Sequence, residues 1–332
     1  MSSIFKSVMI ILVSVAIVFA SIGCSKEETT VSIGISKIIQ HPALDAIEQG
    51  IIDGLAELGY EDIVFDLQNA NGDITTATSI AQKFKADKVD LAIGIATPTA
   101  QALANIISDS PVLFSAVTEP IEAGLVENYD HGIGNVTGVS DLTPVEAQIR
   151  LLAEVTNIKR LGHVYTSGEA NAVLLAEMAE KVCKELGIEF VPSAVTNSSE
   201  VKQAAQAIAS RVDGFYVSND NTVVSALPSL ADVAMQAGVP IMSADTTSAV
   251  GTDVMLAWGF DYYKLGKATA LMAAEVLEGA DPSTIPVGFM TDPSDIELRV
   301  NLDVAAQLGI TIADSILDQA AVIVKDGKDI SQ

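Results

Sequence analysis

The chain has little of what most enzymes and metalloproteins use. Its 332 residues hold two cysteines, three histidines and one tryptophan. Cys24 falls at the end of an N-terminal export pattern, which leaves Cys183 as the sole thiol and no internal disulfide. An exported chain of this length builds cores large enough to do without one. Cys183 lies in a helical pattern, Leu175 to Leu186, and is expected to be buried and inert. The histidines, His41, His131 and His163, are too far apart in sequence to give a metal-ligand spacing, and no metal or cofactor is expected. Basic residues are scarce, 18 against 43 acidic, for a formal charge of −25. That balance excludes a nucleic-acid surface and a basic membrane patch. The acidic residues are scattered and not gathered in a tail, as solubility alone requires. Aromatic residues make up 5%, which argues against the ring-lined clefts that hold sugars. There is no Walker loop, no zinc-protease helix and no Gly-x-Ser-x-Gly elbow. The segment Gly132 to Gly138 has glycines like a dinucleotide loop, but their spacing is wrong and they precede a strand. Nothing by sequence pairs a nucleophile with a base, so no catalysis is expected.

One long apolar run is present, Val8 to Ala20. It follows a start carrying Lys6 and ends in Ser21-Ile22-Gly23-Cys24. A basic start, an apolar stretch and small residues at the end make a secretory signal. The run is short of the roughly 20 residues that span a bilayer. A cysteine after a small residue resembles the bacterial lipoprotein box, with Ser21 where that box usually has Leu. The expectation is a signal over 1–23, a lipidated Cys24 holding the chain to a bacterial membrane on the periplasmic or outer side, and a linker over 24–30.

From residue 31 the pattern alternates β-branched runs with longer helical segments. Strands are expected at Val31–Ile35, Ile63–Leu67, Leu91–Ile95, Val112–Ser115 and Val136–Val139. Helices are expected at His41–Leu58, Ile74–Ala86 and Pro98–Ser108, the last opened by Thr97 and a proline at its first position. A second series follows. Its strands are Arg160–Tyr165, Ile188–Val191, Gly214–Val217, Pro240–Ser243 and Val254–Ala257. Its helices are Asn171–Leu186, Glu200–Arg211, one within Asn221–Gln236, Tyr262–Leu277 and Val304–Leu308. Alternation of this kind implies parallel sheets covered by helices on both faces, and two series imply two lobes. The fold class is therefore α/β with two doubly wound parallel-sheet lobes and a hinge.

Ligands of such sheets sit beyond the carboxyl ends of the strands. Those ends carry many small hydrogen-bonding residues. They include Ser36, Gln40 and His41; Thr97 and Thr99; Thr118 and Glu119; Ser140 and Asp141. In the second series they include Ser167, Glu169 and Asn171; Ser218, Asn219, Asp220 and Asn221; and Asp245. Each of them alone could simply cap a helix, since Ser, Thr, Asp and Asn are what helix starts require. As a set they turn helix N-termini from both lobes toward one cleft, where a carboxylate would be held. Glu169, Asp220 or Asp245 could take an ammonium, so the combination suits a zwitterionic amino acid. Trp258, at the end of a strand, could stack on a ligand or simply pack.

Several segments together resemble a known family. They are His41-Pro42-Ala43-Leu44-Asp45 with Gly50, Ala96 to Leu103, Ala116 to Pro120, Ser167 to Asn171, Asn219 to Thr222 and Gly259 to Gly266. They look like ABC transporter substrate-binding proteins related to tryptophan-binding importer lipoproteins. The resemblance implies a type I periplasmic-binding-protein fold with three crossings between lobes. It places 31–141 plus about 259–284 in the first lobe, and 142–258 plus about 285–332 in the second. It implies a monomer that captures a small molecule, an amino acid and possibly an aromatic one such as tryptophan, and hands it to an ABC permease and ATPase. The same fold could instead bind a sugar or nucleoside, or sense a ligand for a membrane receptor. The cleft residues carried over by resemblance are Thr97, Thr99, Thr118, Ser167, Glu169, Asn171, Asp220 and Asn221. Asp245 joins them as a possible ammonium partner.

Overall fold

A computed structural model describes residues 30–331. The expected signal, Cys24 and most of the linker lie outside the described residues. Among the described residues, no helix is long and apolar enough to cross a membrane.

The first sheet is built from β1 (Val31–Lys37), β2 (Ile63–Asn69), β3 (Leu91–Ile95), β4 (Val112–Ser115), β5 (Val136–Ser140) and the short β11 (Gly288–Phe289), in the order β11-β5-β4-β3-β1-β2. The β1–β3, β3–β4, β4–β5 and β5–β11 pairs are all parallel. Strands β3, β4 and β5 are buried at every position, which is why none of them alternates and β3 reads as an unbroken apolar run. The second sheet holds β6 (Arg160–Thr166), β7 (Glu189–Val195), β8 (Gly214–Val217), β9 (Ile241–Ser243), β10 (Leu256–Phe260), β12 (Ile296–Asn301), β13 (Val322–Lys325) and β14 (Lys328–Ser331), in the order β14-β13-β12-β10-β9-β8-β6-β7. The expected α/β fold with two parallel-sheet lobes is therefore the fold found. At the far edge the second sheet departs from parallel, for β12 runs antiparallel to β10 and β14 antiparallel to β13.

The first sheet carries α1 (Pro42–Glu57), α2 (Ile74–Asp87) and α3 (Thr97–Ile106). After β5 the chain passes to the second sheet through α4 (Val145–Thr156), α5 (Ala170–Leu186), α6 (Val201–Ala209), α7 (Asn221–Ser225) and α8 (Leu227–Ala237). After β10 it returns to the first sheet as α9 (Tyr262–Leu277) and β11, then goes back with β12, α10 (Leu302–Gln307) and α11 (Asp314–Leu317). Sheet membership thus changes three times. The return is held by an unusually close helix pair. A Cβ at Gly266 of α9 would stand 2.3 Å from the Ile47 carbonyl oxygen, and one at Gly50 of α1 would stand 2.3 Å from that of Tyr263. Only glycine at both positions lets the two backbones approach this far.

Three differences from the sequence expectation have local causes. Helix α4 was not expected, although Val145, Ile149 and Leu152 mark its buried face at helical spacing. The stretch Asn221–Gln236 is two helices, broken at Ala226, with Pro228 at the start of the second. The strands β12, β13 and β14 were also missed. In β12 the alternation of Leu298 and Val300 with charged Glu297 and Arg299 was a readable period-2 signal.

Candidate functional site

Because neighbouring strands run parallel, their carboxyl ends share an edge, and the two such edges meet. Between them lies a cavity of about 310 Å³ including its opening to solvent. The first lobe contributes His41 and Leu44 at the start of α1, Ala116 and Thr118 after β4, and Tyr262 at the start of α9. The second contributes Asn171 of α5, Asn219, Asn221 and Val224 around α7, and Asp245 after β9. Asp141, where the chain first leaves the first sheet, lies between them. Next to this cavity an outer mouth of about 860 Å³, likewise including open solvent, is lined by Thr97, Glu119, Ser167, Glu169 and Asn171, among others. Asn171 lines both spaces.

Asp141 is the junction. Its Oδ1 accepts from the Thr118 hydroxyl at 3.1 Å, and its Oδ2 accepts from Asn219 Nδ2 at 3.1 Å and from the Tyr262 hydroxyl at 3.2 Å. One carboxylate therefore ties the first lobe, the second lobe and a crossing segment together. Burial pushes its pKa up to about 6, against the pull of the Thr118, Tyr262 and Asn219 hydrogen bonds.

What distinguishes the cavity is its buried polar atoms without partners. Asn171 Oδ1, Asn219 Oδ1 and Asp245 Oδ2 accept no hydrogen bond, and neither ring nitrogen of His41 makes one of good geometry. These residues are 1–7% exposed. Ser36, Thr97 and Ser218, at the ends of β1, β3 and β8, carry unpartnered hydroxyls as well. Buried polar atoms are nearly always paired, so a cluster of unpaired ones around a cavity marks a place where another molecule completes the pairing. Backbone strain points to the same edge. Ala96 and Ala116, following β3 and β4, have φ of 75° and 55°. Such values cost a non-glycine residue about 1–3 kcal/mol and tend to gather at functional sites.

The residues proposed from sequence fall into three groups. Thr118, Asn171, Asn221 and Asp245 line the cavity. Thr97, Ser167 and Glu169 stand at its mouth with Asn171. Glu169 is occupied there: its Oε1 accepts from the Thr222 amide and hydroxyl, and its Oε2 from Asn221 Nδ2 at 2.6 Å. Thr99 and Asp220 line neither space. The Thr99 hydroxyl turns back to the Ile95 and Ala96 carbonyls at 2.6 and 3.0 Å. Asp220 caps α7 through the Val223 amide at 3.0 Å and holds the end of β6 through the Thr166 amide and hydroxyl at 2.6 and 2.7 Å. Burial and the neighbouring Glu169 carboxylate raise its pKa.

His41, Asp141 and Asn219 are among the strand-end residues named from sequence but not among the cleft residues carried over by resemblance. Leu44 and Val224 lie one turn inside helices, where nothing in the sequence separates them from core residues. Trp258 is not at the cleft. It packs on the core of the second lobe and borders a separate outer groove with Arg150, Leu298 and Ile316. The apolar lining of the cavity comes instead from Leu44, Ala116 and Val224, with the ring of Tyr262. His163 is a core residue. Its Nδ1 pairs with the Tyr216 carbonyl at 2.8 Å, its ring stacks near Tyr165 and Tyr216, and burial pushes its pKa down to about 4. Cys183 is buried, and that burial pushes its thiol up to about 12. Among the described residues, no group of His, Cys, Asp and Glu is placed to hold a metal ion.

Comparison with known proteins gives concordant results. Residues 32–324 match the family model described as ABC transporter substrate binding protein. A tyrosine-binding protein of Clostridioides difficile (strain R20291) is 37% identical over 276 residues, covering 82% of this chain and 79% of that protein. A domain from Streptococcus pneumoniae solved in complex with L-Trp is 34% identical, covers 89% of this chain and 100% of its own, and superimposes with a TM-score of 0.85. A ligand-free, open substrate-binding protein with adhesive properties from Clostridium difficile is 32% identical and covers 89% of this chain and 99% of its own, yet reaches only 0.65. Identity and coverage are nearly the same in the last two, so sequence distance does not explain the gap. This chain therefore superimposes better on the structure solved with L-Trp than on the ligand-free, open one.

Proposed function

Because the chain belongs to the ABC transporter substrate-binding protein family, whose members are binding proteins and not enzymes, we propose that it captures an aromatic amino acid of the tyrosine and tryptophan class between its lobes. The observation that carries this reading is the trio of unpartnered acceptors in the second lobe: Asn171 Oδ1, Asn219 Oδ1 and Asp245 Oδ2. An ammonium has three N–H donors and no acceptor. Three acceptor oxygens around one cavity, one of them on a carboxylate, match it in number and charge. The unpaired Thr97 hydroxyl at the mouth suits the ligand's carboxylate, and Leu44, Ala116, Val224 and Tyr262 offer apolar surface to a side chain. The tyrosine- and tryptophan-binding relatives support the aromatic class.

Capture then follows from linkage. A ligand that touches both lobes makes all its contacts only when they are closed, so it shifts the population toward the closed form. Asp141, bonded to both lobes and to Tyr262, would help hold that closed arrangement. The closed protein would present the ligand to an ABC permease and its ATPase, with the chain held at a bacterial membrane through a lipidated Cys24. A thermal-shift series against the twenty amino acids, common sugars and nucleosides tests the ligand class. A ligand that binds only the folded state stabilises it by about 2.7 kcal/mol at a hundredfold excess over its dissociation constant. Stabilisation by tyrosine or tryptophan is expected, and stabilisation by sugars or nucleosides alone would sink the amino-acid reading.

A further inference from the structure

The amino-acid reading gives no role to His41, the buried group with the most unmet hydrogen bonding in the cavity. His41 is 6% exposed, lines the cavity and makes no hydrogen bond of good geometry through Nδ1 or Nε2, with the Asn221 side chain beside it. It belongs to the first lobe, opposite the three acceptors assigned to the ammonium. The other polar side chains of the first lobe at the cavity are committed, since the Thr118 and Tyr262 hydroxyls both donate to Asp141. Leu44 lies three residues further along the chain, and Ala116 and Val224 also line the cavity, so the imidazole stands where apolar lining meets the polar side chains of Asp245 and Asn221.

Resting on that reading, we infer that His41 reads a polar hydrogen carried on the ligand's ring, so that the site selects aromatic amino acids bearing a phenol hydroxyl or an indole N–H over phenylalanine. The groups facing the imidazole are Asp245, Asn221, Asp45 and Lys37, and burial outweighs the carboxylates in holding its pKa below the usual value. A neutral imidazole has one donor nitrogen and one acceptor nitrogen. The ligand's carboxylate could satisfy the donor, but it has no hydrogen for the acceptor. A phenol can answer either nitrogen, donating to the acceptor or accepting from the donor, an indole N–H answers the acceptor alone, and the phenylalanine ring answers neither. A site that bonds a ring hydroxyl rejects the analogue lacking it, because its own buried atom is then left unpaired, by up to about 10⁴–10⁵-fold where several such bonds are involved. For one neutral contact the expected ratio is about 10- to 100-fold.

Isothermal titration calorimetry of the protein with L-tyrosine, L-tryptophan and L-phenylalanine tests this without any substitution. Binding of tyrosine or tryptophan at least about tenfold tighter than phenylalanine is expected. His41→Leu should weaken the preferred ligand by about the same factor and leave phenylalanine within about threefold of its starting affinity. His41→Gln, which keeps a donor and an acceptor, should retain the preference. Equal affinity for phenylalanine in the unaltered protein overturns the inference while leaving the amino-acid reading intact. So does a His41→Leu protein that is folded by circular dichroism and weakened alike for all three ligands. Failure of all three amino acids to bind overturns this inference and the amino-acid reading together.

Discussion

The turns that follow β8 and β9 are neighbours in the same sheet, and each delivers an aspartate to the carboxyl edge. By sequence Asp220 and Asp245 are equivalent candidates for an ammonium. In three dimensions they differ. Asp220 gives both oxygens to its own lobe, to Thr166 and to the Val223 amide. Asp245 gives Oδ1 to the Ser248 amide at 2.9 Å and leaves Oδ2 unpartnered at the cavity. A buried carboxylate whose lone pairs are used at home holds the fold. One with an oxygen to spare can hold something else. The two buried histidines differ in place: His163 bonds the Tyr216 carbonyl through Nδ1 within an aromatic stack in the core, whereas His41 lines the cavity and makes no hydrogen bond of good geometry.

The contrast can be broken by substitution. The largest effect is expected for Asp245→Ala on ligand affinity, a loss of about 2–5 kcal/mol, because an ammonium would be left buried without its charged partner. Its unfolding free energy should change much less, since one amide contact is lost. Calorimetry and urea unfolding of the same sample check both halves, and equal affinity before and after would remove Asp245 from the site. Asp220→Ala should do the reverse. It strips the Thr166 amide, the Thr166 hydroxyl and the Val223 amide of their acceptor and should destabilise the fold by about 3 kcal/mol, read as a lower urea midpoint. Affinity in the fraction that remains folded should change little. A strong loss of affinity with unchanged stability would show that the roles are exchanged.

A smaller effect is expected from pH. Asp141 has a folded pKa raised to about 6, above the ordinary carboxylate value of about 3.9. Between those values the unfolded chain has lost the proton and the folded one keeps it. The contribution of Asp141 to stability is therefore full below about pH 4 and falls, by about 1–3 kcal/mol, as pH rises toward about 6. The exposed carboxylates with lowered pKa, such as Asp73, Asp292 and Asp329, act in the opposite direction and mainly below pH 4. Burial also lowers the pKa of His163 and His41, which raises stability over the same interval, so urea midpoints at pH 4.5 and 7 should show the unaltered protein losing stability relative to Asp141→Asn as pH rises. Identical slopes would mean that Asp141 does not titrate in this range.

Much of the fold was legible because its signals are local. Buried parallel strands such as Leu91–Ile95 are unbroken apolar runs, and helix starts such as Thr97-Pro98 carry their own markers. Helix α4 and β12 were legible too, from Val145, Ile149 and Leu152 and from the alternation through Leu298 and Val300. The site was legible only as a list of strand ends. That rule reaches Thr118, Asn171, Asn221 and Asp245, which line the cavity, and equally Thr99 and Asp220, which do not. It cannot reach Leu44 or Val224, whose apolar side chains look like core until the second lobe is set against the first.

The alternation of strands and helices, written into residue spacing, determined by itself that this chain forms two α/β lobes with their polar strand ends on shared edges. Only the tertiary structure decided which polar atoms are spent and which are free. Hydrogen-bond partners such as Thr166 for Asp220, or Asn219 and Tyr262 for Asp141, stand 54, 78 and 121 residues away along the chain. Pairing at that separation depends on which strand ends the folded sheets bring within 3 Å or so of each other, and no local pattern in the sequence records it.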